Sequence, residues 1–170
     1  MKNTKSPKKQ KSSLFPILIF AVLAIAFIYV ARGGFGLLDG NDKSAASGSD
    51  LVIPKSDITQ TVKFFPVKAG KTKMEIMAVK ASDGTIRTAF NTCQVCNGSP
   101  RAYYKQQGDV VVCQNCGNKF RMDMIEQQRG GCNPVPISKE DKTEDGTNIV
   151  IPWTYIEANS DLFTDNWKTQ

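Results

Sequence analysis

The chain has 170 residues, room for one ordinary domain plus extras, and a formal net charge of +6 with no histidine. Lys2, Lys5, Lys8, Lys9 and Lys11 supply five of those six charges, so the rest of the chain is nearly balanced. Nucleic-acid binding is excluded by that distribution, because it needs Lys and Arg clustered on the folded domain, and no Ser/His/Asp set or paired carboxylates point to hydrolytic catalysis.

The basic cytoplasmic tail, residues 1–13, runs directly into LFPILIFAVLAIAFIYVA, residues 14–31, which carries no charge. At about 1.5 Å per residue this stretch just crosses a hydrocarbon core of about 30 Å. Pro16 lies near its start, where a helix tolerates proline. A transmembrane signal-anchor helix is therefore predicted over 14–32. Five lysines before it and only Arg32 close behind place the N-terminus in the cytoplasm and the C-terminal domain outside it. A cleaved signal peptide fits less well: the apolar run is long, and the nearest small-residue site, SAAS at 44–47, is too far downstream. Residues 33–50, GGFGLLDGNDKSAASGSD, read as a flexible linker.

Residues 51–170 remain as a mainly β, small α+β extracytoplasmic domain. QTVKFFPV (60–67) and KMEIMAVK (73–80) alternate as strands do, and ASDG (81–84) is a turn signal. TIRTAF (85–90) alternates again, with Ile86, Thr88 and Phe90 on one face, and delivers the chain to Cys93. RAYYK and DVVV flank QQGD as a second hairpin. MDMIEQQ (122–128) is predicted as a short helix stopped by Gly130 and Gly131. NIVIPW (148–153) is a last strand and YIEANSDLF a helical turn.

Cysteines occur at 93, 96, 113, 116 and 132. A CxxC pair turns the chain so that two sulfurs converge, and two such knuckles joined by a hairpin make the tetrahedral cage of a zinc ribbon or a rubredoxin-like site, suited to zinc or iron. Gly117 supplies the left-handed residue such a knuckle often needs. Haem attachment fails, because Asn97 and Gly117 stand where CxxCH requires histidine. Two other readings remain open: redox dithiols and structural disulfides, although an odd cysteine count leaves one thiol over in any disulfide scheme. Cys132, in RGGCNP, is an alternative ligand, a cluster ligand with another cysteine left outside, or a buried small apolar residue. Between Cys93 and Cys132, Arg101, Lys105, Lys119, Arg121 and Arg129 outnumber Asp109, Asp123 and Glu126 by two, a surplus that would balance four thiolates around a divalent ion. Methionines 74, 77, 122 and 124 allow copper but fit core filling better, since Met74 and Met77 would face opposite sides of a strand.

AVKASDGTIRTAFNTCQVC, GDVVVCQNCGNKF and RGGCNPVPI, in that order, resemble the membrane iron–sulfur FtrD-like family over about residues 51–157. The resemblance implies an iron–sulfur cluster or mononuclear iron held among Cys93, Cys96, Cys113, Cys116 and Cys132, with zinc as the alternative and copper behind it. It also implies a bacterial cell membrane and a membrane iron-transport or redox partner that gives or takes electrons. Larger members carry many spans before this domain; here one precedes it, which points to an anchored module working beside partners. Two functions of other classes stay open: a structural zinc-ribbon interaction module, and a thiol–disulfide oxidoreductase using the CxxC pairs.

Overall fold

The computed structural model describes residues 45–168. The basic tail, the predicted transmembrane helix and residues 33–44 of the predicted linker lie outside the described residues. Among the described residues no helix is long and apolar enough to cross a membrane.

Among the described residues ten strands form three antiparallel sheets. The central sheet contains β2 (Lys63–Ala69), β3 (Thr72–Lys80), β4 (Ile86–Cys93) and β8 (Pro134–Pro136), in that order. A second sheet orders β1 (Leu51–Pro54), β10 (Asn148–Ile151) and β9 (Thr143–Glu144). The third is a meander of β5 (Tyr104–Gln107), β6 (Val110–Cys113) and β7 (Lys119–Arg121). Among the described residues one α-helix, α1 (Trp153–Ala158), follows β10.

Local chemistry explains the tight turns. Ala69 pairs with Thr72, so β2 and β3 are joined by the two-residue loop Gly70–Lys71, with Gly70 at φ +57°. Gln107 pairs with Val110 in the same way across Gly108, at φ +62°. A glycine first in a two-residue loop reaches positive φ without a Cβ clash and matches the twist of the flanking strands.

The central sheet is buried on both faces, which is why β3 is apolar along most of its length. Met74, Ile76, Ala78 and Phe90 pack on one side with Ile53, Ile149 and Ile151 of the second sheet, Ile156 of α1, and Phe163 and Trp167. Met77, Val79, Ala89 and Cys93 face the other way and pack with Tyr104, Val111, Cys113, Phe120, Met122 and Ile125. Met74 and Met77 thus lie on opposite faces as expected, each as core filling.

The predicted helix over 122–128 is not formed. Only a single 3-10 turn, Met122–Met124, is present, and Glu126 adopts the left-handed conformation at φ +69°. The side chain explains the break. Glu126 accepts the backbone N–H of Thr88 at 3.0 Å and pairs with Lys142 at 2.6 Å, with 5% and 1% of the two charged side chains exposed. Lys142 also donates to Thr88 Oγ1 at 2.8 Å. Burial of two charges in one hydrogen-bonded pair outweighs the weak helical preference of a seven-residue segment. β8 was absent from the sequence-predicted strands for a related reason. Pro-Val-Pro cannot donate at two of three positions, so it stands as an edge strand, where missing donors are tolerated.

Removing one partner of the Glu126–Lys142 pair strands the other charge. Lys142→Met is expected to lower unfolding free energy by about 3–5 kcal/mol. The double variant Glu126→Gln/Lys142→Met is expected to recover much of that loss. Equilibrium denaturation of the single and double variants measures both effects.

Candidate metal centre

β4 ends at Cys93, and its pairing with β8 sets the site. A bulge between Phe90 and Cys93 shifts the register, so that Cys93 stands opposite Pro134, two residues beyond Cys132. The chain leaves Cys93 as a turn through Cys96, where the N–H of Ser99 donates to the Cys96 carbonyl at 2.7 Å. The second knuckle leaves β6 at Cys113. Its turn closes by Gly117 N–H to the Cys113 carbonyl at 2.9 Å, with Gly117 at φ +74°.

The sulfurs of Cys93, Cys96, Cys116 and Cys132 lie within 4.8 Å of one another. Cys113 is not one of the four. Its thiol interacts with that of Cys116, and its sulfur accepts the backbone N–H groups of Asn115 and Cys116. Burial runs from one side of the group to the other: Cys93 and Cys113 are buried, Cys96 and Cys132 half-buried and Cys116 exposed. Val95, inside the first knuckle, is 64% exposed, so the group opens to solvent along Cys116 and that residue.

Amides hold the three segments together. The Gln94 N–H donates to the Asn133 carbonyl at 2.9 Å, and its side-chain amide donates to the Pro134 carbonyl at 3.2 Å. Its side-chain oxygen accepts the Gly130 N–H at 3.0 Å. One residue of the first knuckle therefore grips the Cys132 loop on both sides of the cysteine. The Cys132 carbonyl accepts from the Tyr104 hydroxyl and from Asn118 Nδ2, each at 2.8 Å. Asn133 Nδ2 bonds back to the Gly130 carbonyl, and Gly130 and Gly131 both have positive φ, at +87° and +75°. Two consecutive left-handed residues are what the loop requires, and glycine alone adopts them freely. Between the knuckles, Ser99 Oγ donates to Asn115 Oδ1 at 2.8 Å, and the Asn115 side chain also bonds Cys96. Tyr104 is itself seated by Asn91, whose Oδ1 accepts the Tyr104 N–H at 2.8 Å.

Electrostatics separate the thiols. The Asn118 N–H donates to Cys116 and lowers its pKa to about 7 against opposing burial. Burial pushes Cys113 up to about 12. Cys132 is raised to about 12, first by its hydrogen bond with Cys116 and then by burial. Burial also raises Cys96. The Tyr104 hydroxyl is pushed far up by burial and by the Cys93 sulfur beside it, so it stays a donor. Convergent thiols hold one another protonated because like charges repel, and a bound cation removes that repulsion.

All five sequence-predicted cysteines are thus in one neighbourhood, but the mutually close four exchange Cys113 for Cys132. Sequence reasoning passed over Gln94, Asn115, Asn118 and Tyr104. Three of these are amides beside cysteines in CQVC and CQNCGN, a composition that in retrospect marks the hydrogen-bonding shell.

A two-faced β domain that gathers four cysteine sulfurs at one edge has the donors to hold a metal ion. Residues 51–163 match the family described as membrane iron-sulfur containing protein FtrD-like, and the chain belongs to that family. No curated protein and no solved structure matches the chain. Cysteine thiolates are the usual ligands of iron–sulfur centres, so the four sulfurs are the donor type that the family description calls for.

In metal-free protein Cys116 should be the thiol that alkylates at neutral pH. Its thiolate is present above about pH 7 and lost as pH falls through that value, so iodoacetamide labelling should reach half its limiting rate near there. Cys113 and Cys132 should label slowly throughout the neutral range. Peptide mass spectrometry across pH 5–9 reads the order.

Proposed function

We propose that this chain is a membrane-anchored extracytoplasmic metal-cysteinate protein that passes electrons, or handles metal, for an iron-uptake system in the bacterial cell membrane. The observation that carries this reading is the convergence of four sulfurs within 4.8 Å in a chain of the membrane iron-sulfur FtrD-like family. The uncharged segment 14–31 behind a lysine-rich tail supports the anchor and its orientation.

Bound iron would supply one-electron chemistry there. The protein's own contribution is electrostatic. The backbone N–H of Asn118 reaches the sulfur of Cys116, and such a donor raises the potential of a thiolate-ligated iron. Cys116 and Val95 give the site a solvent-facing edge through which a membrane iron-transport or redox partner can make contact. The thiol–disulfide oxidoreductase remains the second reading, favoured by the contact between Cys113 and the acidic thiol Cys116.

Purification of the full chain in mild detergent under anaerobic conditions tests the choice. Iron should co-purify with visible thiolate charge-transfer bands that bleach on reduction and return on oxidation. Colourless protein holding zinc would instead identify a structural ribbon. Metal-free protein that cycles a dithiol at a defined potential would identify the oxidoreductase.

A further inference from the structure

The separation of the sulfurs carries information about what they can hold. Metal–thiolate bonds are about 2.3 Å, so two sulfurs on one ion lie at most about 4.6 Å apart and about 3.8 Å apart in a tetrahedron. Cluster ligands on different irons point away from one another and stand farther apart than two bond lengths, which holds for every pair in a four-iron cluster and for four of the six pairs in a two-iron one. The four sulfurs here are within 4.8 Å of one another, all six pairs included. Contracting that group onto one ion moves each sulfur by less than about 1 Å, within reach of small side-chain rotations.

Opening it for a cluster is a different matter. The three cysteine-bearing segments would have to separate, and they are cross-tied. Gln94 bonds Gly130, Asn133 and Pro134. Asn118 bonds the Cys132 carbonyl, and Ser99 bonds Asn115. The β4–β8 register holds Cys93 opposite Pro134. Spreading the sulfurs by a further iron–iron separation would strain these bonds together.

We propose that the centre takes a single metal ion ligated by Cys93, Cys96, Cys116 and Cys132, without inorganic sulfide, and that Cys113 is not a ligand. This rests on the metal-binding reading above and narrows it. The doubled CxxC is then not the ligand set. One member of the second pair is replaced by the cysteine of the GGCNP loop, and Cys113 remains beside the site as a buried thiol that accepts the N–H groups of its own turn.

The test uses the full chain purified anaerobically, with metal-to-protein ratio by mass spectrometry, acid-labile sulfide, and the visible spectrum after cobalt(II) exchange. One ion per chain, no labile sulfide and the d–d bands of a tetrahedral tetrathiolate are expected. Cys113→Ser should keep one ion and the same cobalt bands. Cys132→Ser should lower metal retention against a chelator at least tenfold and shift the bands toward three-sulfur ligation, while far-ultraviolet circular dichroism stays that of the parent. Two or more irons with matching sulfide would overturn the single-ion assignment and leave the metal-binding function standing. Loss of metal in Cys113→Ser with retention in Cys132→Ser would overturn the ligand set. A parent chain that binds no metal would overturn the functional reading itself. Because stoichiometry and sulfide are read on the parent chain, the assignment is decided even if a variant fails to fold.

Discussion

The pairing of β4 with the short edge strand β8 is the constraint on which the site depends. It brings Pro134 opposite Cys93 across a bulge, and with it a cysteine that lies 39 positions further along the chain. Antiparallel pairing fixes such a juxtaposition to within a residue, because a slip by one would turn every side chain to the opposite face. Here both faces of β4 are buried, so a slip by one would exchange its side chains between two differently packed cores. The register is held by two cores at once, and the cysteine edge inherits that rigidity.

Polar contacts then lock the segments that the sheet leaves loose. Glu126, Lys142 and Thr88 form a buried ionic anchor on the loop leading to Cys132. On another flank Lys168 bonds both oxygens of Glu75 at 2.7 Å, Glu75 accepts Asn91 Nδ2 at 2.6 Å, and Asn91 receives the Tyr104 N–H. The chain from the C-terminal end to the residue beneath the sulfurs is therefore continuous in hydrogen bonds. Buried charges of this kind contribute little net stability over an apolar substitute, yet losing one partner is severe, so they act mainly to select one arrangement.

Charge around the sulfurs follows the same economy. No Asp or Glu occurs in 93–108, 110–122 or 127–137, the segments that carry all five cysteines. Asp109 lies in the far hairpin turn, Asp123 is bonded to the Ser82 N–H, and Glu126 is neutralised by Lys142. Across the meander, Lys105, Val112 and Lys119 share one row of the sheet, which places two cations on its outer face. The cysteine sulfurs are thus set among side-chain amides and backbone N–H groups, which stabilise ionised sulfur.

Much of this was legible in the residues. Alternation marked β2, β3, β4 and β10, and glycine-bearing breaks marked the hairpins, because these are local matters of side-chain period and φ. Family membership was likewise carried by the motifs themselves. Contacts between distant segments were not. The helix predicted over 122–128 gave way to a left-handed Glu126 because its carboxylate finds Thr88 and Lys142, 38 and 16 residues away. β8 is hidden by its prolines, and its partner is known only once the sheet is assembled. The sequence by itself determined that two CxxC knuckles would be joined by a hairpin on a β scaffold, since knuckle turns and hairpins are short-range. Only the tertiary structure decided which four converge: sheet register, a long-range property that spacing between cysteines does not encode, sets Cys132 against the first knuckle and leaves Cys113 outside the four.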